Sequence, residues 1–136
     1  MKKHVINTQK LARTYWPASA HATRAGDFVF VTGQVANQPG SDPRDRSEVE
    51  MGSLEQQTVR VLENVKTILE EAGASLDNVV KRNVYLTHQG DFDAVFTIME
   101  RYFKSPVAST GVITGLVPTS ARVEVDVIAY IPPGAQ

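Results

Sequence analysis

The chain has no cysteine and only three histidines among its 136 residues. Without cysteine there can be no disulfide bond, no thiolate nucleophile and no zinc site with cysteine ligands, and a reducing compartment is favoured. His4, His21 and His88 are scattered without the spacing of metal ligands. We therefore expect neither a metal ion nor a disulfide to stabilise the protein.

Runs of like charge and long apolar segments are also missing. Fourteen Lys and Arg balance fifteen Asp and Glu, which leaves a net charge of −1 and no basic field for a nucleic acid. The apolar stretches are far shorter than a membrane span, and the basic opening residues lead into no apolar signal-peptide core. We expect a cytoplasmic protein that binds neither nucleic acid nor membrane.

The remaining composition is that of a globular protein, with 42% hydrophobic and 21% charged residues. A chain of this length is large enough to bury one core. We therefore expect a single domain over residues 1–136.

Hydrophobic patterning predicts five strands. β-Branched and aromatic residues concentrate at 28–32, 79–86, 107–113 and 122–131, and residues 21–24 are predicted to form the hairpin partner of 28–32. In the last of these, alternate residues are apolar, so one side of the strand should be buried. The segment 37–45 is rich in turn-forming residues and is predicted to be an exposed loop.

Two helices are predicted between these strands. Ser53 and Gln56 form a capping-box pattern before apolar residues at helical spacing, which predicts a helix over about 53–72 that ends at Gly73. Asp91 is a candidate cap for a second helix. Its apolar stripe is interpreted as core and comprises Phe92, Val95, Phe96, Met99 and Phe103.

The order of elements predicts an α+β fold with one mixed sheet covered on one face by both helices. The second face of such a sheet stays open, and several strands carry apolar residues on both sides. We therefore expect self-association to cover it.

No phosphate-binding glycine loop, nucleophile elbow or pair of helical histidines occurs, and no cofactor is expected. The candidate residues lie on strands instead. Glu124 could exchange a proton if burial raises its pKa, or it could be a solvated residue paired with Arg122. Thr32 and Gly33 could supply a hydroxyl and backbone amides, or Gly33 could simply form a bulge.

A second candidate group is Ser109, Thr110 and Gly111, whose donors suit a carboxylate or an oxyanion. The alternative is a turn in which the hydroxyls bond the local backbone. Tyr85 could form an aromatic wall or belong to the core. The residue types alone name no reaction.

Four segments in this order resemble the Rid/YjgF family, formerly called endoribonuclease L-PSP. The likeness covers about residues 19–130. It is carried by AGDFVFVTGQ (25–34), the helix over 57–73, VKRNVYL (80–86) followed by Asp91 and Phe92, and VEVDVIA (123–129).

The resemblance implies a chorismate-mutase-like fold and a homotrimer whose sheets line a central barrel, with ligand clefts between subunits. It also implies cofactor-free hydrolysis of small enamines or imines, such as 2-aminoacrylate, to 2-keto acids and ammonia. Two other functions remain open. The first is a trimeric metabolite-binding or chaperone-like protein without turnover. The second is ribonuclease action, which the neutral charge does not favour.

Carried over by position, the family's water-handling glutamate falls on Glu124 and its Ser/Thr-Gly pair on Thr32 and Gly33. Its pocket aromatic falls on Tyr85. The family's Pro-x-Arg-Ser/Thr segment falls on residues 107–110, so Ser109 stands where the carboxylate-binding arginine is expected. Thr110 keeps the hydroxyl, Gly111 follows, and Ser19 lies close to the position of a family tyrosine. His21, Arg24 and Arg122 are the candidates for a replacement cation.

Overall fold

A computed structural model describes residues 2–42 and 51–134, so residues 43–45 of the predicted loop lie outside the described part. The strands are β1 (His4–Ile6), β2 (Ala22–Ala25), β3 (Phe28–Gln34), β4 (Val79–Leu86), β5 (Ala108–Ile113) and β6 (Val123–Tyr130). The helices are α1 (Leu54–Glu71) and α2 (Phe92–Met99), with short 3₁₀ turns at Leu76–Asn78 and Gln89–Asp91.

These strands form one mixed sheet in the order β1-β2-β3-β6-β4-β5, which confirms the predicted α+β architecture. All neighbouring pairs are antiparallel except β4 and β5, which are parallel and connected through α2. Strand β1 was not predicted, because its three residues are too few to show a pattern.

Strand β6 lies between β3 and β4 and shows the predicted alternation. Val123, Val125, Val127 and Ala129 are fully or almost fully buried, whereas the residues between them are partly exposed. The buried side, here called the helix face, packs against α1. We call the opposite side of the sheet the open face.

Helix α1 begins and ends as its sequence predicts. The Ser53 hydroxyl accepts a hydrogen bond from the Gln56 amide, and the Gln56 side chain accepts one from the Ser53 amide. Such a cap stabilises a helix by about 1 kcal/mol. The helix is followed by Gly73, whose positive φ of 81° suits glycine. Its apolar side is completely buried at Val61, Leu62, Val65, Ile68 and Leu69.

Helix α2 differs from its prediction at its start. Asp91 makes no side-chain capping bond; its carboxylate instead binds Arg122 at the start of β6. Phe92 is 46% exposed and stacks on Phe96 with 4.3 Å between ring centroids, so the predicted stripe is not entirely core. The Phe92 ring also lies near the edge strand, where a Cβ atom at Gly111 would be 3.9 Å from it.

The open face presents aromatic residues to solvent. Phe28 and Phe30 are 43% and 44% exposed, and Phe28 packs beside Tyr130 with ring centroids 5.2 Å apart. Exposed apolar clusters of this kind mark interaction surfaces. Within the described ranges, no helix combines the length and apolarity needed to cross a membrane.

Candidate active site

Glu124 lies on the open face of β6, directly opposite Tyr85 of β4. Its carboxyl group rests on Gly33. A Cβ atom at position 33 would lie 3.1 Å from the carboxyl carbon and would overlap Oε2. The β3–β6 register shifts between Val31 and Gln34, so Gly33 also belongs to a bulge. The interpretation of Gly33 as a bulge is therefore confirmed, and the bulge brings a residue without a side chain beneath the carboxylate; a role of its backbone amides in ligand binding stays a prediction.

The surroundings of Glu124 favour its protonated form. Burial raises the pKa of Glu124, and the nearby charge of Asp126 raises it further. Pairing with Arg122 was the alternative interpretation, but the guanidinium of Arg122 binds Asp91 at 2.8 and 3.0 Å. In residues 2–42 and 51–134 no cation forms an ion pair with Glu124.

This raised pKa predicts a pH-dependent stability. Between the unfolded and folded pKa values the folded protein binds more protons, so its free energy of unfolding falls as pH rises. We expect Glu124→Gln to melt at a higher temperature than the wild type at neutral pH. The difference should vanish below about pH 4, where glutamate is protonated in both states. Thermal denaturation at fixed protein concentration measures this.

Glu70→Gln is the matched control, because Glu70 is an exposed residue of α1. It should show no comparable gain at neutral pH. An increase in the melting temperature of Glu124→Gln that is equal at pH 4 and pH 7.5 would contradict the electrostatic explanation.

Tyr85 and Asn83 hold Asp126 in place beside Glu124. The Tyr85 hydroxyl donates to the Asp126 carboxylate, and this bond is the largest cause of a raised pKa for Tyr85. The Asn83 amide nitrogen donates to Asp126 Oδ1 at 2.9 Å. Tyr85 is thus a partly exposed residue of the open face and not a core aromatic.

Thr32 lies on the same face, but its hydroxyl proton is already used. Thr32 Oγ1 donates to the carbonyl of Ala20 at 2.6 Å. The hydroxyl can therefore accept a hydrogen bond from a ligand but cannot donate one without breaking this contact.

The cavity beside Thr32 is too small for a metabolite within one chain. Its volume is about 70 Å³, and its lining includes Tyr15, Ser19, Thr32 and Gly33. Ligand pockets usually measure several hundred Å³. A larger groove of about 780 Å³ lies along α1 and α2 but contains none of the predicted site residues. A complete pocket at Glu124 would need a second surface.

The hydroxyls of β5 contact two cations that the sequence did not indicate. Arg82 Nε donates to Ser109 Oγ at 3.0 Å, and Lys81 Nζ donates to Thr110 Oγ1 at 2.6 Å. The parallel β4–β5 register places Arg82 opposite Ser109. Knowledge of this pairing could have identified them, but strand pairing is not visible in local patterns.

The three cations proposed from the sequence are engaged elsewhere. His21 is buried, with Nδ1 accepting from the Thr8 amide and Nε2 contacting the Ala12 carbonyl. Arg24 donates to the carbonyl of Gly26. Arg122 binds Asp91, and none of the three forms a hydrogen bond with Ser109.

The structure therefore divides the candidate residues into two clusters. Thr32, Gly33, Tyr85 and Glu124 come together on the open face. Ser109 and Gly111 lie on the helix face of the edge strand, where Arg82 and Phe92 contact them, and Thr110 points to the open face. In the described part of the chain, no three His, Asp or Glu residues cluster as metal ligands would.

The protein belongs to the class of small α+β domains in which two helices cover one face of a mixed sheet. A half-buried carboxylate lies on the other face. The family model described as Endoribonuclease L-PSP matches residues 12–131. The chain therefore belongs to this family, also known as Rid/YjgF.

Individual proteins show the same relationship. A RutC family protein of Pyrococcus abyssi is 40% identical over 131 residues, covering 96% of this chain and 98% of its own. A 2-iminobutanoate/2-iminopropanoate deaminase of Dermatophagoides farinae is 28% identical, covering 95% and 97% of the two chains. The crystal structure of a Thermotoga maritima protein superposes with a TM-score of 0.85 at 33% identity, covering 97% and 99%.

Proposed function

We propose that the protein is a cytoplasmic Rid-type deaminase that hydrolyses a small enamine or imine to a carbonyl compound and ammonia. The proposal draws on family membership and on the deaminase among the relatives. The observation that carries it is Glu124, a carboxylate whose pKa is raised by burial and that lies on a glycine backbone. A base with a pKa shifted toward neutrality can both take up and return a proton.

The reaction needs only water and proton transfers. Glu124 takes a proton from water as the oxygen bonds to the imine carbon, and it passes this proton to the imine nitrogen to give a neutral carbinolamine. Glu124 then takes the hydroxyl proton of the carbinolamine and delivers it to the amino nitrogen, so the carbon–nitrogen bond breaks, the carbonyl forms and ammonia leaves. Thr32 can accept a hydrogen bond from the substrate, whereas Tyr85 forms one wall.

We further propose that the active unit is a homotrimer with clefts between subunits. Three features support a second subunit at the site. The cavity at Thr32 is small, the open face exposes Phe28 and Phe30, and the β5 residues lie apart from Glu124 in one chain. A neighbouring copy would cover the aromatic residues and enlarge the pocket.

Ammonia release tests the proposed activity. We expect the protein to accelerate hydrolysis of 2-aminoacrylate or of a related imine, generated in situ, above the spontaneous rate. Both anionic and neutral imines belong in the panel, because Ser109 replaces the expected arginine. Failure to accelerate any member would contradict the deaminase proposal.

A metabolite-binding protein without turnover is the second candidate. The Thr32 hydroxyl is committed to Ala20, and Ser109 carries no charge of its own, so fewer groups are free to stabilise a transition state. Saturable binding of a carbonyl compound combined with no ammonia release would favour this candidate.

A further inference from the structure

Arg82 is a buried cation without a carboxylate partner in residues 2–42 and 51–134. Only 8% of the residue is exposed, and no Asp or Glu of these ranges forms an ion pair with it. Burial lowers the pKa of Arg82 and the charge of Glu100 partly offsets this, but arginine stays protonated at physiological pH. A charge in this position normally has an anionic partner.

The guanidinium of Arg82 is fixed by neutral groups. Its central carbon lies 5.4 Å from the ring centroid of Phe96 and 4.8 Å from that of Phe103. Its Nε donates to Ser109, and no acceptor in the described residues bonds to its terminal nitrogens. The rings stabilise the cation but cannot neutralise it.

Ser109 connects this cation to the surface. It lies on β5, which is exposed along its whole length. Its oxygen accepts the bond from Arg82, and its hydroxyl hydrogen has no acceptor in the described chain. A hydroxyl polarised by a cation is a stronger donor. The pair therefore presents a charge-assisted donor at the edge of the sheet.

We propose that Arg82 and Ser109 together bind the carboxylate of a small 2-keto or 2-imino acid. Ser109 donates to the anion, and Arg82 supplies the positive charge behind it. The choice of acid rests on the proposed function, whereas the preference for an anion follows from the unpaired cation. Ser109 is thus an essential part of an anion site on this chain.

Lys81 provides a matched control on the same strand. It also donates to a hydroxyl of β5, that of Thr110, but on the open face, where this hydrogen bond is exposed to solvent. An exposed ammonium is strongly hydrated and gains little from a nearby anion. Removing the charge of Lys81 should therefore weaken anion binding much less than removing the charge of Arg82.

Binding of pyruvate to the intact protein tests the proposal, with the neutral methyl pyruvate as the comparison ligand. We expect the wild type to prefer pyruvate, and Arg82→Met to weaken pyruvate binding by at least about tenfold. Lys81→Met should change it by less than about twofold. Isothermal titration calorimetry measures all three. Equal affinity for the two ligands, unchanged binding in Arg82→Met, or an equal loss in Lys81→Met overturns the proposal.

Ser109→Ala separates binding from structure. This variant leaves Arg82 in place but removes the outward donor, so pyruvate binding should weaken. The double variant should bind no more weakly than Arg82→Met alone, because the two residues act as one unit. If the losses of pyruvate affinity in the two single variants add up in the double variant, the proposal that the two residues form one site is overturned. If Arg82→Met does not fold, the result for Ser109→Ala decides, and unchanged affinity there refutes the proposal.

These measurements are independent of turnover. Arg82-dependent pyruvate binding without ammonia release would refute the proposed deaminase activity and support the anion site. Ammonia release together with pyruvate binding that does not depend on Arg82 would support the deaminase activity and refute the anion site.

Discussion

Glu124→Gln is expected to lower the rate of imine hydrolysis by about 10²–10⁴-fold, the range that general acid–base groups contribute. Glutamine keeps the shape of the side chain above Gly33 but cannot accept a proton from water. The loss should therefore appear in kcat more than in KM. Steady-state ammonia release from whichever imine of the panel the wild type hydrolyses measures the loss, and Glu70→Gln should retain full activity.

The pH profile gives an independent view of the same residue. Because Asp126 contributes to the raised pKa of Glu124, Asp126→Asn should move the acidic limb of the kcat/KM profile to lower pH. Wild-type activity in Glu124→Gln would show that the carboxylate is structural.

Phe30→Glu is expected to convert the proposed trimer to monomers and to abolish most of the activity. Phe30 is 44% exposed on the open face, opposite Ile128, so the change leaves the core of the single chain intact. A charge buried without a partner at an interface costs roughly 3–5 kcal/mol, enough to dissociate a moderately stable assembly. Light scattering coupled to size exclusion measures the mass, and ammonia release measures the activity.

Val59→Glu is the control for this variant, since Val59 is 38% exposed on α1, away from the open face. It should remain assembled and active. A wild type that is already monomeric at micromolar concentration, or an active Phe30→Glu monomer, would refute the intersubunit site.

Local patterns were sufficient for most of the fold. The β4 range was predicted at both of its ends, and the cap at Ser53 and the alternation along β6 appear as expected. Each of these depends on neighbours within one element. The start of α2 was different, because Asp91 has a stronger partner in Arg122, which is remote in sequence. A bidentate pair with a cation outcompetes a single capping bond.

The candidate site was predictable only in part, for the same reason. Glu124 and Gly33 could be named individually, but their contact depends on a bulge in the pairing of β3 with β6. Arg82 escaped notice because it is buried beneath aromatic rings of a helix region that follows it. Local sequence contains no signal for which strands become neighbours.

The central position of β6 has a consequence for folding. The strand comes last in chain order, yet it joins β3 to β4, so before it is synthesised the sheet consists of two unconnected parts. Pairing of β3 with β6 closes a loop of roughly ninety residues, an entropic cost that slows folding. Until then the nascent chain exposes unpaired edges on β3 and β4, which is the interval in which chaperones would be most useful.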